Sequence, residues 1–498
     1  MLPNRSAPWR RGALCLASAL LAGTLAAACA SYIHQSLALR PLVAQQRFDE
    51  ALKGVERLNN GSSRLLYLYE RGLVLHARGD YGGSNAALDQ AEMLVGDLYT
   101  KSLSREIGSL LTSDNLREYR GERFESAYLH YYRILNYLYL DKVEDAAVES
   151  RRLNQRLQHY QDEKGSSYRN DPFLQYLTGL VYEQAGERVD ADVSLRAALE
   201  AYQIVGPTDG IEMPPELPCE LARNAEALGR RSEADQYRAE HDCPGRAPGG
   251  RATGVVNLII ECGYVDAKIE QNLVFPIYSD EVGEDIDESR FARRLVEERR
   301  DGRPQPDRKL DYLLRVAVPQ MVDVQCSVQG AEVRAVADTD TARAPARGDT
   351  LRAAGHIGAQ GPFVRAATVQ DLSVLSNHAF EEAQPAIITR AVVRALAKYI
   401  AKKKADKEEE KADGKKEKKN PLAGWLVQGF AFATEGADTR SWSLLPERIL
   451  LARLELPPGR YRLDVRLLDA NGQPAQNLSI PNVELQAGAV RLLNYRVD

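Results

Sequence analysis

GLVLHARGDYGGSNAALDQA (72–91) is matched, at the same spacing, by GLVYEQAGERVDADVSLRAA (179–198), and this pair decides the fold class. Counted from the first glycine, positions +3, +7, +12, +16 and +19 hold Leu75, Gly79, Ser84, Leu88 and Ala91 in one copy. The other copy holds Tyr182, Gly186, Ala191, Leu195 and Ala198. A glycine after an apolar run ends one helix, and small residues at three- and four-residue steps let a second helix lie close against it. Weaker copies run through Ile134, Tyr137, Asp141, Ala146, Ser150 and Leu153, and through Ala222, Ala225, Gly229 and Ala234. Residues 41–245 are therefore expected to be a stack of helical hairpins.

The spacing resembles the tetratricopeptide repeat, and the resemblance implies a concave surface suited to peptides or proteins. The turns at 79, 141, 186 and 229 are 62, 45 and 43 residues apart, against a repeat of about 34. An irregular solenoid is expected, with longer helices or an added element around 93–120. Tyr128, Tyr131, Tyr132, Tyr137 and Tyr139 suit packing between helices; Tyr128, Tyr132 and Tyr139 are also the candidates in this half for partner contact.

Beyond a breaker-rich linker, RAPGGRATG (246–254), the apolar period changes to two. Strands are expected over 255–278, broken at Gly263, and over 311–328, 331–338, 448–456, 461–469 and 483–497. Pro457-Pro458-Gly459 and Asn471-Gly472 supply hairpin turns. Residues 255–498 thus read as a β-sandwich, and the whole chain as α+β multidomain. An insertion at about 380–438 opens with a helix whose stripe is Ile388, Val392, Leu396 and Tyr399. The mixed-charge run 402–420 reads as a solvated loop or frayed helix, and Trp425 in the apolar stretch after it faces either the sheet or a partner.

At the N-terminus, Arg5, Arg10 and Arg11 precede an uncharged apolar run from Gly12 to Ala28. Basic, then apolar, then small is the order of a secretory signal. Its end, Leu25-Ala26-Ala27-Ala28-Cys29, resembles the lipobox of bacterial lipoproteins, with Ala26 where that family prefers Leu. The resemblance implies removal of 1–28, acylation at Cys29, a lipidated tether over 29–40 and, since Ala30 is not Asp, the outer membrane. Several acyl chains anchor stably where one holds weakly.

Loss of 1–28 takes three arginines and moves the net charge from −5 to −8. No basic, aromatic-interleaved face speaks for nucleic acid. With Cys15 gone and Cys29 lipidated, four cysteines remain of the six in the chain, an even number that in an oxidising compartment suits two disulfides. Cys219 opens one expected helix and Cys243 closes the next, favouring Cys219–Cys243 and leaving Cys262–Cys326. Four free thiols or a metal site are the alternative, although no CxxC spacing is present.

Taken whole, with Ala437-Asp438-Thr439-Arg440-Ser441-Trp442 as its most specific string, the chain resembles a family of Gram-negative lipoproteins. That family has a tetratricopeptide-like N-terminal half and a β-rich C-terminal half, and implies address and architecture but no activity. The seven histidines form no HExxH, and no G-x-S-x-G elbow or P-loop occurs. His76 and His130 fall in repeat helices, GHIGAQG (355–361) lacks the dinucleotide-binding spacing, and Glu261, Asp266 and Glu270 alternate along strands. No catalytic residue, metal or cofactor is expected. The expectation is an envelope scaffold or assembly factor that contacts an envelope protein through its repeat surface and the membrane through lipid. The alternative is an enzyme of peptidoglycan metabolism or its regulator.

Overall fold

The computed structural model describes residues 32–105, 117–162, 168, 170–241, 243, 253–278, 290–291, 293–294, 309–324, 326–338, 361–412 and 436–497. The signal stretch, Cys29, residues 246–252 of the linker and Trp425 lie outside the described residues. Among the described residues four helical hairpins form the repeat part: α4 Arg64–Ala77 with α5 Tyr81–Arg105, and α6 Arg123–Tyr139 with α7 Val143–Asp162. They continue as α8 Pro172–Ala185 with α9 Arg188–Asp209, and α10 Leu217–Ala227 with α11 Arg231–His241. The motif has a direct steric basis. A Cβ on Gly72 would meet Leu88 Cδ2 at 2.5 Å, and one on Gly179 would meet Leu195 Cδ2 at 2.6 Å. Position +16 thus seats on position 0, and in the first copy the +12 hydroxyl of Ser84 donates to the Gly72 carbonyl at 2.7 Å. The turn residues Gly79, Asp141, Gly186 and Gly229 all adopt positive φ, the left-handed conformation that reverses a helix end. Asp141 does so without being glycine.

Local signals place the helix starts. Asp171 accepts from the Leu174 backbone N–H at 3.0 Å with Pro172 in the first turn. At α6, Glu122 and Glu125 form a reciprocal capping box. Long helices contribute to the irregular spacing: α5 runs for 25 residues, α7 for 20 and α9 for 22. The expected tether is shorter than 29–40. Residues 32–40 belong to the fold: α1 Tyr32–Leu37 and α2 Arg40–Ala44 precede α3 Phe48–Glu56, and Ile33, Leu39 and Arg40 are buried.

The β half differs from a single sandwich. Strands β1 Gly254–Cys262, β6 Ala367–Asp371, β7 Arg448–Leu456 and β10 Val490–Val497 form a sheet of order β10-β1-β7-β6, with β1 parallel to β10. A second sheet, order β5-β4-β8-β9, contains β4 Gly330–Ala337, β5 Val364–Arg365, β8 Gly459–Leu468 and β9 Pro474–Leu485. The remaining pair, β2 Ala267–Tyr278 and β3 Leu310–Val322, is a separate antiparallel ribbon. Alternation along β1 explains the layering. Val256, Leu258, Ile260 and Cys262 share a core with Leu463, Val465 and Leu467 of the second sheet. Ile259, on the other face, joins the core of the helices. The first sheet is thus a middle layer, and its second face serves helices rather than strands.

The expected inserted helix is α12, Leu372–Ala412, which begins before the expected start of the insertion at about 380 and runs into the mixed-charge stretch. Its stripe covers the ribbon: Val392 and Leu396 pack with Leu273, Phe275, Leu314 and Val316, with Ile388 and Tyr399 at the margin. Residues 402–412 continue the helix, and 413–420 lie outside the described residues.

Cys219 and Cys243 are bonded across the α10–α11 hairpin, with Cα atoms 5.4 Å apart. The second expected disulfide is corrected: Cys262 and Cys326 are free, buried thiols. Both sit in the core between the two sheets, where the Val328 backbone N–H donates to the Cys326 sulfur at 3.4 Å. Burial pushes both thiols above the ordinary cysteine range.

Candidate functional site

The face that helices α4, α6 and α8 turn inward is covered by the chain's own strands and by the segment 436–447. Trp442, Leu444, Leu445, Ile449, Leu451, Val369 and Leu492 belong to the same buried cluster as Tyr69, Tyr128, Tyr132 and Phe173. This corrects the expectation for Tyr128, Tyr132 and Tyr139. The first two are fully buried, and the Tyr139 hydroxyl donates to Asn494 Oδ1 at 2.7 Å and accepts from the Asn494 backbone at 2.8 Å. Tyr132, against Trp442 and Glu261, and Tyr139 hold the β half, while Tyr128 is sealed in the core shared with it.

Two glutamates anchor the segment 436–447. Glu70 Oε1 accepts from the backbone N–H and the hydroxyl of Ser443, both at 2.8 Å, and from the Tyr32 hydroxyl at 3.3 Å. Glu125 Oε1 accepts from the Trp442 backbone at 2.7 Å, while its Oε2 accepts from the Tyr119 hydroxyl at 2.8 Å and the Glu122 backbone at 3.0 Å. Burial raises both carboxyls to about 7, and the nearby Glu122 charge adds to the effect at Glu125. The indole of Trp442 stacks on Tyr69 with centroids 4.4 Å apart.

Arginines complete the clamp. Arg440 forks onto Asp438 at 2.8 Å and donates to the carbonyls of Ser62 and Arg117 at 2.7 and 3.0 Å, so the two charged residues of ADTRSW pair with each other. Arg40, from the stretch expected to be tether, donates to the carbonyls of Ser443 and Val265 at 3.1 and 2.8 Å.

A third polar cluster joins β1 and β10 to the repeats. Glu261 accepts from Tyr131 at 2.7 Å, Tyr132 at 3.3 Å and Asn494 at 3.1 Å, and pairs with Arg496 at 3.6 Å. His76 bridges Asn136 at 2.7 Å and Asn494 at 3.0 Å, and burial lowers its pKa. Glu261, Asp266 and Glu270 have separate tasks. Asp266 receives Asn377 at 2.7 Å, Glu270 receives the Ala437 backbone at 3.0 Å, and Glu261 is sealed among tyrosines. Their alternation along β1, the turn and β2 disperses them, as expected.

Among the described residues one cluster has metal-ligand composition, Glu92, His130 and Glu149, with ligand atoms within 4.8 Å of one another. Arg133 pairs with both glutamates and Arg152 lies 3.5 Å from each. Two guanidinium groups already neutralise those carboxylates, so the arrangement is a partly buried ion-pair network. His130 Nδ1 contacts Glu149 at 2.5 Å, and burial lowers its pKa.

No family model matches the chain, and no curated protein is similar to it. Among solved structures, it is similar to MamA at 15% identity over 40% of this chain and 90% of that one, with a TM-score of 0.26. It is also similar to MamA from residue 41 to the end from Desulfovibrio magneticus RS-1, at 13% identity over 42% and 93%, TM-score 0.26. A third similarity is to the nearly identical TPR-like repeats of a kinesin-light-chain protein of Podosopora anserina, at 17% identity over 42% and 92%, TM-score 0.28. No helix among the described residues is long and apolar enough to cross a membrane.

Proposed function

We propose that the chain is a lipid-anchored scaffold of the Gram-negative envelope, facing the periplasm from the outer membrane and acting by contact with another envelope protein. Leu25-Ala26-Ala27-Ala28-Cys29 supports the anchor. The observation that carries the scaffold reading is the contrast between the two sides of the repeats. The inner side is filled, while the outer helices keep Met93, Val148, Val189, Val193 and Ile204 in solvent. Val189, Val193 and Ile204 are each more than 60% exposed, at 64%, 62% and 65%. Val189 and Val193 lie one turn apart on α9, a stripe of the kind another protein covers.

A photo-crosslinking residue at Val193 should trap one envelope protein in intact cells, and the same residue at Arg462 on the second sheet should not. Equal trapping at both positions, or none at Val193, would sink the reading. Release of soluble fragments from purified peptidoglycan by the isolated chain would favour the alternative, an enzyme or regulator of cell-wall metabolism.

A further inference from the structure

An open cleft of about 250 Å³ lies where the start of α6, the base of the ribbon, α12 and the segment 436–447 meet. Five basic and three acidic side chains line it, Glu118 among the acids, and two pairs are matched with each other. Lys268 meets Glu122 at 2.9 Å, and Arg440 is forked onto Asp438. Arg120 and Arg390 also line the cleft, and neither has a carboxylate within ion-pair reach among the described residues. Arg390 Nε is shielded from solvent and has no acceptor, which is costly for a charged donor. Beside it, Phe380, Ile387 and Pro319 supply an apolar wall.

We propose that this cleft binds a small organic anion, with the oxyanion head on the Arg390 and Arg120 guanidiniums and a short apolar body against Phe380 and Ile387. A planar guanidinium offers two parallel N–H donors to a carboxylate or a phosphate, so either head fits. The cleft is too small for a folded partner and is separate from the exposed stripe on α9.

The test is calorimetric titration of the full chain with n-hexanoate and, separately, n-hexyl phosphate. Saturable one-site binding of at least one probe is expected, and the probe that binds names the head group. Arg390→Gln should weaken it about tenfold or more, as loss of a charge-assisted pair does. Arg390→Lys, which keeps the charge and the fold but loses the fork, should fall between. Ile387→Ala should weaken hexanoate or hexyl phosphate without affecting inorganic phosphate. Arg462→Gln on the second sheet should leave binding unchanged. No saturable heat from either probe, or equal affinity in wild type and Arg390→Gln, overturns the proposal.

Discussion

The indole of Trp442 lies on the ring of Tyr69, 4.4 Å between centroids and 16° between planes. These residues come from the two halves of the chain, and both are buried without exposure. Because the stack sits in one core shared by helices and the first sheet, the halves should unfold together. Trp442→Ala should cost about 3–5 kcal/mol, as large aromatic truncations do. Urea unfolding followed by circular dichroism should show one transition, shifted to lower denaturant. Two separated transitions in the wild-type chain would contradict the shared core.

Burial raises the carboxyls of Glu70 and Glu125 from the ordinary 4.5 to about 7. Between those values the folded chain holds protons that the unfolded chain has released, so their contribution to stability falls as pH rises and levels off above about 7. His76 and His130, whose pKa values burial lowers from 6.5, act oppositely at the acid end. Comparing wild type with Glu70→Gln/Glu125→Gln isolates the glutamates. The difference in unfolding free energy should change most between pH 4.5 and about 7. A pH-independent difference would show that these carboxyls are not perturbed.

The cysteines should separate cleanly. Non-reducing mass mapping should find Cys219 joined to Cys243. Cys219→Ser should cost about 2–4 kcal/mol, the usual range for a native cross-link. Cys262 and Cys326 should resist thiol reagents in the folded chain and label fully in urea, since burial hides both and raises both thiols. A bond between them in the native chain would contradict two free thiols in the core between the sheets.

The anchor is tested at one atom. Cys29→Ala should move the chain from the membrane fraction to the soluble periplasm, because the acyl chains attach through that sulfur. Persistence in the membrane fraction would defeat the lipobox reading.

Gly72 against Leu88 and Gly179 against Leu195 are contacts across 16 positions, and their spacing is visible as a repeated string. The same holds for the turn at Asp141, for the break at Gly263 between two strands and for the Val392–Leu396 stripe. Each depends on neighbours close in the chain or on one apolar face, so periodicity is enough to locate it. The glutamate clamp is different. Glu70 and Ser443 are separated by 373 positions, and a glutamate in a helix looks the same whether water or a distant backbone N–H will meet it. Asn257 and Glu261 likewise read as polar interruptions of β1, until the alternation of that strand is seen to turn them toward the helices. The tyrosines mark the clearest division. By itself the sequence determined that Tyr128, Tyr132 and Tyr139 line one side of a helical stack, because helix geometry is local. Only the tertiary structure decided that this side is already covered by the chain's own sheet, because that pairing rests on burial and hydrogen bonds between segments that share no local pattern.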